Sequence, residues 1–475
     1  MPLTRRGFLT GMAGAGALAA APGLGYAKTG RPNFVFILID DLRWNALGCT
    51  GHPFAKTPNI DRIGREGAIF QNAFCTTPLC SPSRGSFLTG QFVHTHGVKT
   101  NQASPALDAL SHSLRTFPQE LRKAGYETAY VGKWHMGDDD SPRPGFDHWV
   151  SFRGQGVYVN PTLNINGKRE EQRGYMTDIL SARAADFLKR PHTRPFALYL
   201  AHKAVHGNFE PAERHTTLYA EDVVKRRPNA GDSLAGKPVL QQRGPKPNSG
   251  KRRTGTPDET IKNQLRCMNS VDDGVGEILR TLQERKLLDN TLVIFTSDNG
   301  FFWGDHGLGD KRYAYDESIR IPLLMRCPAL IRPGLTPRQM ALNIDIAPTI
   351  LSAAGVTVPA RVQGESLLPI LAGKTQGWRT DFLCEYYREE NYPYHPTWFA
   401  VRSESAKYIH YPDIENADEF YDLRADPYEM NNLRGKSAHA ERVRDYRGRM
   451  EQLLLATGAE GLPGGSQKKE SAGPR

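Results

Sequence analysis

Residues 33–39 run apolar without alternation, Asn33-Phe34-Val35-Phe36-Ile37-Leu38-Ile39, and stop at two acids, Asp40 and Asp41. A run of this kind predicts a strand buried on both faces, as in a parallel sheet, whose carboxyl end delivers the acids. Further strands are predicted at 128–133, 196–201 and 292–297, with helical stretches at 57–66, 114–124, 175–189 and 258–285. Strands alternating with helices argue for an α/β fold, a doubly wound sheet with helices on both faces, and place ligands at the strand carboxyl ends. Beyond about residue 376 the pattern changes to short aromatic strands, 397–402 and 407–411, and a helix near 438–455. The expected division is a catalytic domain at 31–375 and a smaller α+β subdomain at 376–458, with no internal repeats. The residues from 459 onward, rich in Gly, Pro, Ser and Lys, read as a disordered tail.

Between residues 221 and 257 periodicity gives way to Pro, Gly, Asn and basic residues, with nine Lys and Arg against three acids. A solvated insertion loop is the plainer reading, and a mobile positive rim for a sulfated polymer the sharper one. At the other end, Thr4-Arg5-Arg6-Gly7-Phe8-Leu9 precedes a weakly apolar stretch ending at Gly25-Tyr26-Ala27. That fits a twin-arginine signal peptide over 1–27, implying the export machinery as a partner and a periplasmic or secreted location. The stretch is too short and too rich in Gly and Ala for a stable membrane span.

With 475 residues, 39% of them hydrophobic, the chain is long enough for a large domain and a smaller one. Loss of Arg5 and Arg6 with the leader lowers the net charge from +10 to +8, so the mature chain stays basic. Such a field attracts anionic substrates only diffusely, and no motif indicates nucleic acid. Six cysteines show no CxxC pair or metal-site spacing, which speaks against a disulfide framework; Cys49 and Cys75 are the most plausible pair.

The candidate chemistry is more specific. Cys80 opens Cys80-Ser81-Pro82-Ser83-Arg84-Gly85, where Pro82 suits the first turn of a helix and the free N–H groups favour an anion. Asp40, Asp41, Asp298 and Asn299 supply four oxygen-bearing side chains at two strand ends, a donor set for a hard divalent cation. Lys133 and His135 share one extended segment, Gly132-Lys133-Trp134-His135, while His206 follows the strand at 196–201 and Lys311 lies in Gly309-Asp310-Lys311-Arg312. Taken singly, each has a plainer reading: a half-buried cysteine before a helix, turn residues after a strand, or a core histidine. His202 competes locally with His206, and Arg312 with Lys311.

Taken together and in this order, these motifs resemble the formylglycine-dependent sulfatases, over about residues 33 to 433. Asp345-Ile346-Ala347-Pro348-Thr349 and the run 420–427 match later, architectural landmarks of that family. The resemblance implies an alkaline-phosphatase-like fold, a large mixed sheet sandwiched by helices with a smaller C-terminal subdomain. It implies a sulfuric ester hydrolase in which a formylglycine-generating enzyme oxidises Cys80 and the hydrated aldehyde is the nucleophile. A sulfated gem-diol can expel sulfate by carbon–oxygen cleavage, which a sulfated serine cannot. By the same resemblance Asp40, Asp41, the modified Cys80, Asp298 and Asn299 hold a divalent cation, calcium ahead of magnesium. Arg84 braces the nucleophile, Lys133 and Lys311 contact the sulfate, His135 takes a proton from the hydrate, and His206 protonates the leaving alcohol. Asn299 stands where some relatives carry histidine.

The substrate is expected to be a sulfated carbohydrate, since the segments 202–206 and 385–397 resemble sulfatases that cleave 6-O-sulfate from N-acetylglucosamine. His94, His306 and His395 are candidates to line the pocket, with Trp303, Tyr387 and Trp398 as an aromatic wall; loop or core roles are equally open to the histidines. Two rivals remain: a phosphonate or phosphate diester hydrolase on the same scaffold, and a catalytically dead glycan-binding homologue.

Overall fold

The computed structural model describes residues 30–242 and 255–459, so the leader, the basic triplet 251–253 and most of the tail lie outside it. A nine-stranded mixed sheet organises the larger part of the chain. In spatial order its strands are Ala68–Ile69, Leu323–Arg326, Thr291–Ser297, Asn33–Ile39, Phe196–Ala201, Glu127–Lys133, His148–Phe152, Thr162–Ile165 and Lys168–Glu171. The five from Thr291–Ser297 to His148–Phe152 are parallel, and antiparallel strands finish both edges. The unbroken apolar run of the central strand has a direct explanation. Phe34, Phe36 and Leu38 enter one core, whereas Val35, Ile37 and Ile39 enter the other.

The parallel register aligns the carboxyl ends. Ile39 pairs with Ser297, Leu38 with Ala201, and Gly132 with Ala201, so the residues after each strand emerge along one rim. Gly132 is required there: its φ is +126° and an added Cβ would lie 1.8 Å from the Ala201 carbonyl oxygen.

Helices pack on both faces, among them Pro58–Arg65, Met176–Lys189 and the 27-residue Asp258–Glu284, close to the expected bounds. The C-terminal part forms a second antiparallel sheet in the order Asp381–Tyr386, Trp398–Ser403, Ala406–His410, Glu419–Asp422, covered by the helix Ala440–Ala456. Its apolar residues join the same core as Phe34 and Phe36.

The described part of the basic insertion keeps many exposed residues but is tied to the body at two points: Asn229 and Lys237 are fully buried, and Lys237 Nζ donates to Glu429 O at 2.6 Å and pairs with Asp232. One expectation changes: the Cys49–Cys75 pairing is corrected, since all six cysteines are free thiols. Cys75 is buried in the core on one side of the sheet while Cys49 packs against the other.

Candidate active site

Cys80 is the first residue of the helix Cys80–Thr89, every residue of which is buried. Leu79 enters in extended conformation, Pro82 fills the first turn, and Gly90, at φ +69°, ends the helix. Ser81 N–H, which has no acceptor within the helix, donates to Asn101 Oδ1 at 2.8 Å. The start of the helix points at the rim where the strands end.

The rim assembles every residue expected to be catalytic or metal-binding. Cys80 Sγ lies 3.4 Å from Asp40 Oδ1 and 3.2 Å from Lys311 Nζ. Arg84 spans the two acidic strand ends, reaching Asp40 Oδ2 at 3.0 Å and Asp298 Oδ2 at 2.9 Å, and donates to Lys133 O at 2.6 Å. Lys133 Nζ pairs with Asp40 and donates to Gln155 Oε1 at 2.5 Å. On the other side Lys311 Nζ pairs with Asp41, which also accepts from Asn299 Nδ2 at 2.7 Å. His206 Nε2 lies 3.7 Å from Asp41 Oδ2, and its Nδ1 must donate to Gly207 O at 3.0 Å, which fixes the tautomer. His135, at φ +60°, sits with Nδ1 3.3 Å from Ser81 Oγ.

Burial and charge set the protonation states. Burial, then the Asp40 carboxylate, raises Asp298 to about 7. Asp40 goes the other way: burial alone lifts it, but the cations Lys133, Arg84 and Lys311 hold it well below the carboxylate range. Burial and the nearby Lys133 lower His206 to about 4 and depress His135 as well, so both imidazoles are neutral in the resting protein. Burial and Asp40 push the Cys80 thiol far above its usual value, so it rests protonated.

The donor set fits a divalent cation. Asp40, Asp41 and Asp298 bring carboxylate oxygens within 4.8 Å of one another, and Asn299 Oδ1 is buried with no hydrogen-bond partner. A hard cation would relieve the crowding of three carboxylates and supply that oxygen's missing partner.

The residues expected around the substrate fare differently. His94 has both ring nitrogens engaged, Nδ1 with Glu385 at 3.0 Å and Nε2 with Thr457 O at 3.2 Å. His306 is likewise held, between Asp232 at 2.6 Å and Asn229 at 3.2 Å. Both tie distant segments together, with each ring nitrogen already engaged by a protein partner. His395 belongs to the loop over Arg312, its ring 5.2 Å from that of Tyr313. Trp398 is fully buried, donating to Arg312 O at 2.8 Å, and is no wall. Trp303 and Tyr387 remain partly exposed. His202 is fully buried and held to about 3 by burial, in keeping with a core role.

Sequence reasoning missed Gln155 and Asn101, which lie in loops without motif, and gave no role to Glu389, although it falls in the segment 385–397; their contacts with Lys133, Ser81 and Arg312 give them meaning.

The family pattern described as Sulfatase matches residues 32–356. The chain belongs to the sulfatase family. As a sulfatase it is an enzyme that hydrolyses sulfate esters, and its fold is of the alkaline-phosphatase-like kind. A second pattern, N-sulphoglucosamine sulphohydrolase C-terminal, matches residues 304–455 of this sulfatase. It is 33% identical to the N-acetylglucosamine-6-O-sulfatase of Bacteroides thetaiotaomicron, across 90% of this chain and 87% of that one. The N-acetylglucosamine-6-sulfatase of Homo sapiens is 32% identical, across 86% of this chain and 82% of its own. The solved structure of BT4656 in complex with its substrate D-glucosamine-2-N,6-O-disulfate superposes with a TM-score of 0.81 at 31% identity, covering 90% of this chain and 98% of that one.

Proposed function

We propose that this sulfatase removes sulfate from a sulfated carbohydrate, a 6-O-sulfated glucosamine unit being the best-supported choice, through a formylglycine made from Cys80 and a divalent cation, calcium ahead of magnesium. The observation that carries the catalytic part is the placement of Cys80 Sγ between Asp40 and Lys311 beside the unpartnered Asn299 oxygen. The sugar assignment is supported by the relatives, two of them named for N-acetylglucosamine 6-sulfate and one bound to a glucosamine disulfate.

A cation held by Asp40, Asp41, Asp298 and Asn299 supplies Lewis-acid polarisation of a sulfate oxygen. An aldehyde hydrate at residue 80 supplies a nucleophile that regenerates itself. The protein's own groups do the rest. Lys133 and Lys311, buried at the rim, bind sulfate oxygens and neutralise charge as it develops. Arg84 holds the two acidic strand ends in register. Neutral His135 can accept a proton from the hydrate. His206 presents Nε2 to the site; the negative charge of an arriving sulfate ester raises its proton affinity, so it can donate to the leaving alcohol.

The remaining parts of the proposal are maturation by a formylglycine-generating enzyme, twin-arginine export, and work in the periplasm or outside the cell. Among the described residues no helix is long and apolar enough to cross a membrane.

Mass spectrometry of the peptide spanning Cys80 tests the nucleophile: a loss of about 18 Da relative to cysteine is expected. An unmodified thiol after expression with a maturation enzyme favours the dead scaffold. A panel of sulfated monosaccharides and oligosaccharides, with choline sulfate, an aryl sulfate and an aryl phosphodiester, tests the substrate. Preference for glucosamine 6-sulfate is expected; a phosphodiester turned over faster than every sulfate ester would replace the reading with its phosphoryl rival.

A further inference from the structure

Glu389 is an acid of the C-terminal part that reaches into the catalytic rim without touching it. It is 2% exposed and occupies the loop that leaves the strand Asp381–Tyr386. Oε1 accepts from Asn101 N–H at 3.0 Å. Oε2 accepts from Arg312 Nε at 2.7 Å and from Tyr386 O–H at 3.2 Å. Each contact leads one step further. Asn101 Oδ1 caps Ser81 N–H at 2.8 Å, next to Cys80. Arg312 follows Lys311, and its backbone, at φ +87°, is in a region that a residue with a side chain enters only when held. The same arginine has its carbonyl tied to Trp398 Nε1 at 2.8 Å and its guanidinium 3.7 Å over the Tyr392 ring.

The geometry points to Glu389 as a positioning residue: from the C-terminal sheet it fixes, through Asn101 and Arg312, the separation between residue 80 and the Lys311 ammonium. Those two groups lie 3.2 Å apart and arrive from segments 231 positions apart in sequence. Among the described residues, Glu389 is the side chain whose two oxygens hold both supporting segments. Its carboxylate matches the task. Two oxygens serve two donors in different directions, and the charge strengthens both bonds while compensating a buried guanidinium. Positioning at this precision has kinetic weight, because a displacement of about 1 Å at a reacting pair costs on the order of 100-fold in rate.

The inference rests on the proposed hydrolysis for its kinetic arm and on hydrogen exchange for an arm that needs no activity. Glu389→Ala, Glu389→Gln, Asn101→Ala and the Glu389→Ala/Asn101→Ala double variant are compared, with Asp418→Asn as control. Asp418 is a buried acid at the entrance to the strand Glu419–Asp422 whose side chain serves only Tyr408, His410 and Tyr411. Rates are normalised to the fraction of residue 80 carrying the aldehyde. Glu389→Ala is expected to lower kcat by about 100-fold with KM little changed. Glu389→Gln, which keeps an acceptor for Asn101, recovers much of that loss. The double variant falls below Glu389→Ala by less than the Asn101→Ala factor, because the two share one path. Amides of Ser81 and Asn101 exchange faster in Glu389→Ala while those of the central strands match the control. A kcat loss no larger than that of Asp418→Asn, a loss carried by KM, or unchanged exchange at Ser81 and Asn101 overturns the assignment. A wild type that carries the aldehyde yet turns over no sulfate ester refutes the proposed function instead, and the exchange result then decides the positioning role alone.

Discussion

Asp298 sits under three pressures at once: full burial, two neighbouring carboxylates, and an arginine. Its folded pKa of about 7 exceeds its ordinary value of 3.8, so the metal-free folded protein holds an extra proton between those values. The contribution of Asp298 to the stability of the metal-free protein therefore falls as pH rises across that window, opposite to buried histidines such as His206, His202, His96 and His52, whose lowered values make stability rise with pH below 6.5. Asp272, raised to about 6 by burial, acts in the same direction, which makes Asp298→Asn the necessary comparison. In thermal melts after chelation, the melting temperature of wild type minus that of Asp298→Asn should fall as pH rises from 3.8 toward 7, since the histidine contributions are common to both. Added calcium should stabilise wild type more at pH 7.5 than at pH 5, since a cation competes with protons for the same oxygens. A metal effect independent of pH, or equal in Asp298→Asn, removes these residues from the cation site. Cys80→Ala should abolish turnover and leave the melt nearly unchanged, while Cys80→Ser, where maturation accepts only cysteine, yields at most a stoichiometric burst; sustained turnover by either ends the formylglycine mechanism.

At the scale of elements, Gly132 joins two strands that deliver Lys133 and His206. Gly132→Ala drives a methyl into the Ala201 carbonyl and imposes an unfavourable φ, so a loss of more than about 2 kcal/mol is expected in denaturant unfolding, with activity lost in parallel. A near-native unfolding midpoint would show that the two strands can separate slightly at no cost. The central strands were legible in the sequence because a strand buried on both faces writes an uninterrupted apolar run. Edge elements were not. Ala68–Ile69 is two residues long, and Lys168–Glu171 is exposed throughout, held by an Asn166-Gly167 turn in which both residues have positive φ. The motif residues of the site were legible because each abuts a strand end or a helix start. Glu389, Gln155 and Asn101 were not, since their partners lie far away in sequence. The same distance hid the ties of His94 to Glu385 and of His306 to Asp232.

Across the whole molecule, a buried charge cluster locks the C-terminal sheet onto the catalytic part. Asp316 receives Arg402 at 2.8 Å and Lys407 at 2.7 Å, and Lys407 also reaches Glu429 at 2.7 Å. Lys407→Met leaves Glu429 buried without its cation, while Asp316 keeps Arg402, and should cost about 3 kcal/mol. Because the cluster is out of solvent, added salt should not restore the melting temperature of that variant. A loss below about 1 kcal/mol would mean that this cluster adds little to the junction beyond its apolar contacts and the other polar ties, such as Glu389 to Arg312.

The complete burial of Cys80 also fixes an order of events. If residue 80 is converted to an aldehyde as proposed, a maturation enzyme that must grip the chain around it has to act before the helix Cys80–Thr89 is enclosed in the core. Purified, folded, unmodified enzyme offered to a formylglycine-generating enzyme should keep its thiol, while a synthetic peptide covering residues 76–92 is converted. Conversion of the folded protein at the peptide's rate would require that the helix Cys80–Thr89 leave the core on the timescale of the reaction. On that chemistry a molecule that folds before conversion keeps its thiol and stays inactive.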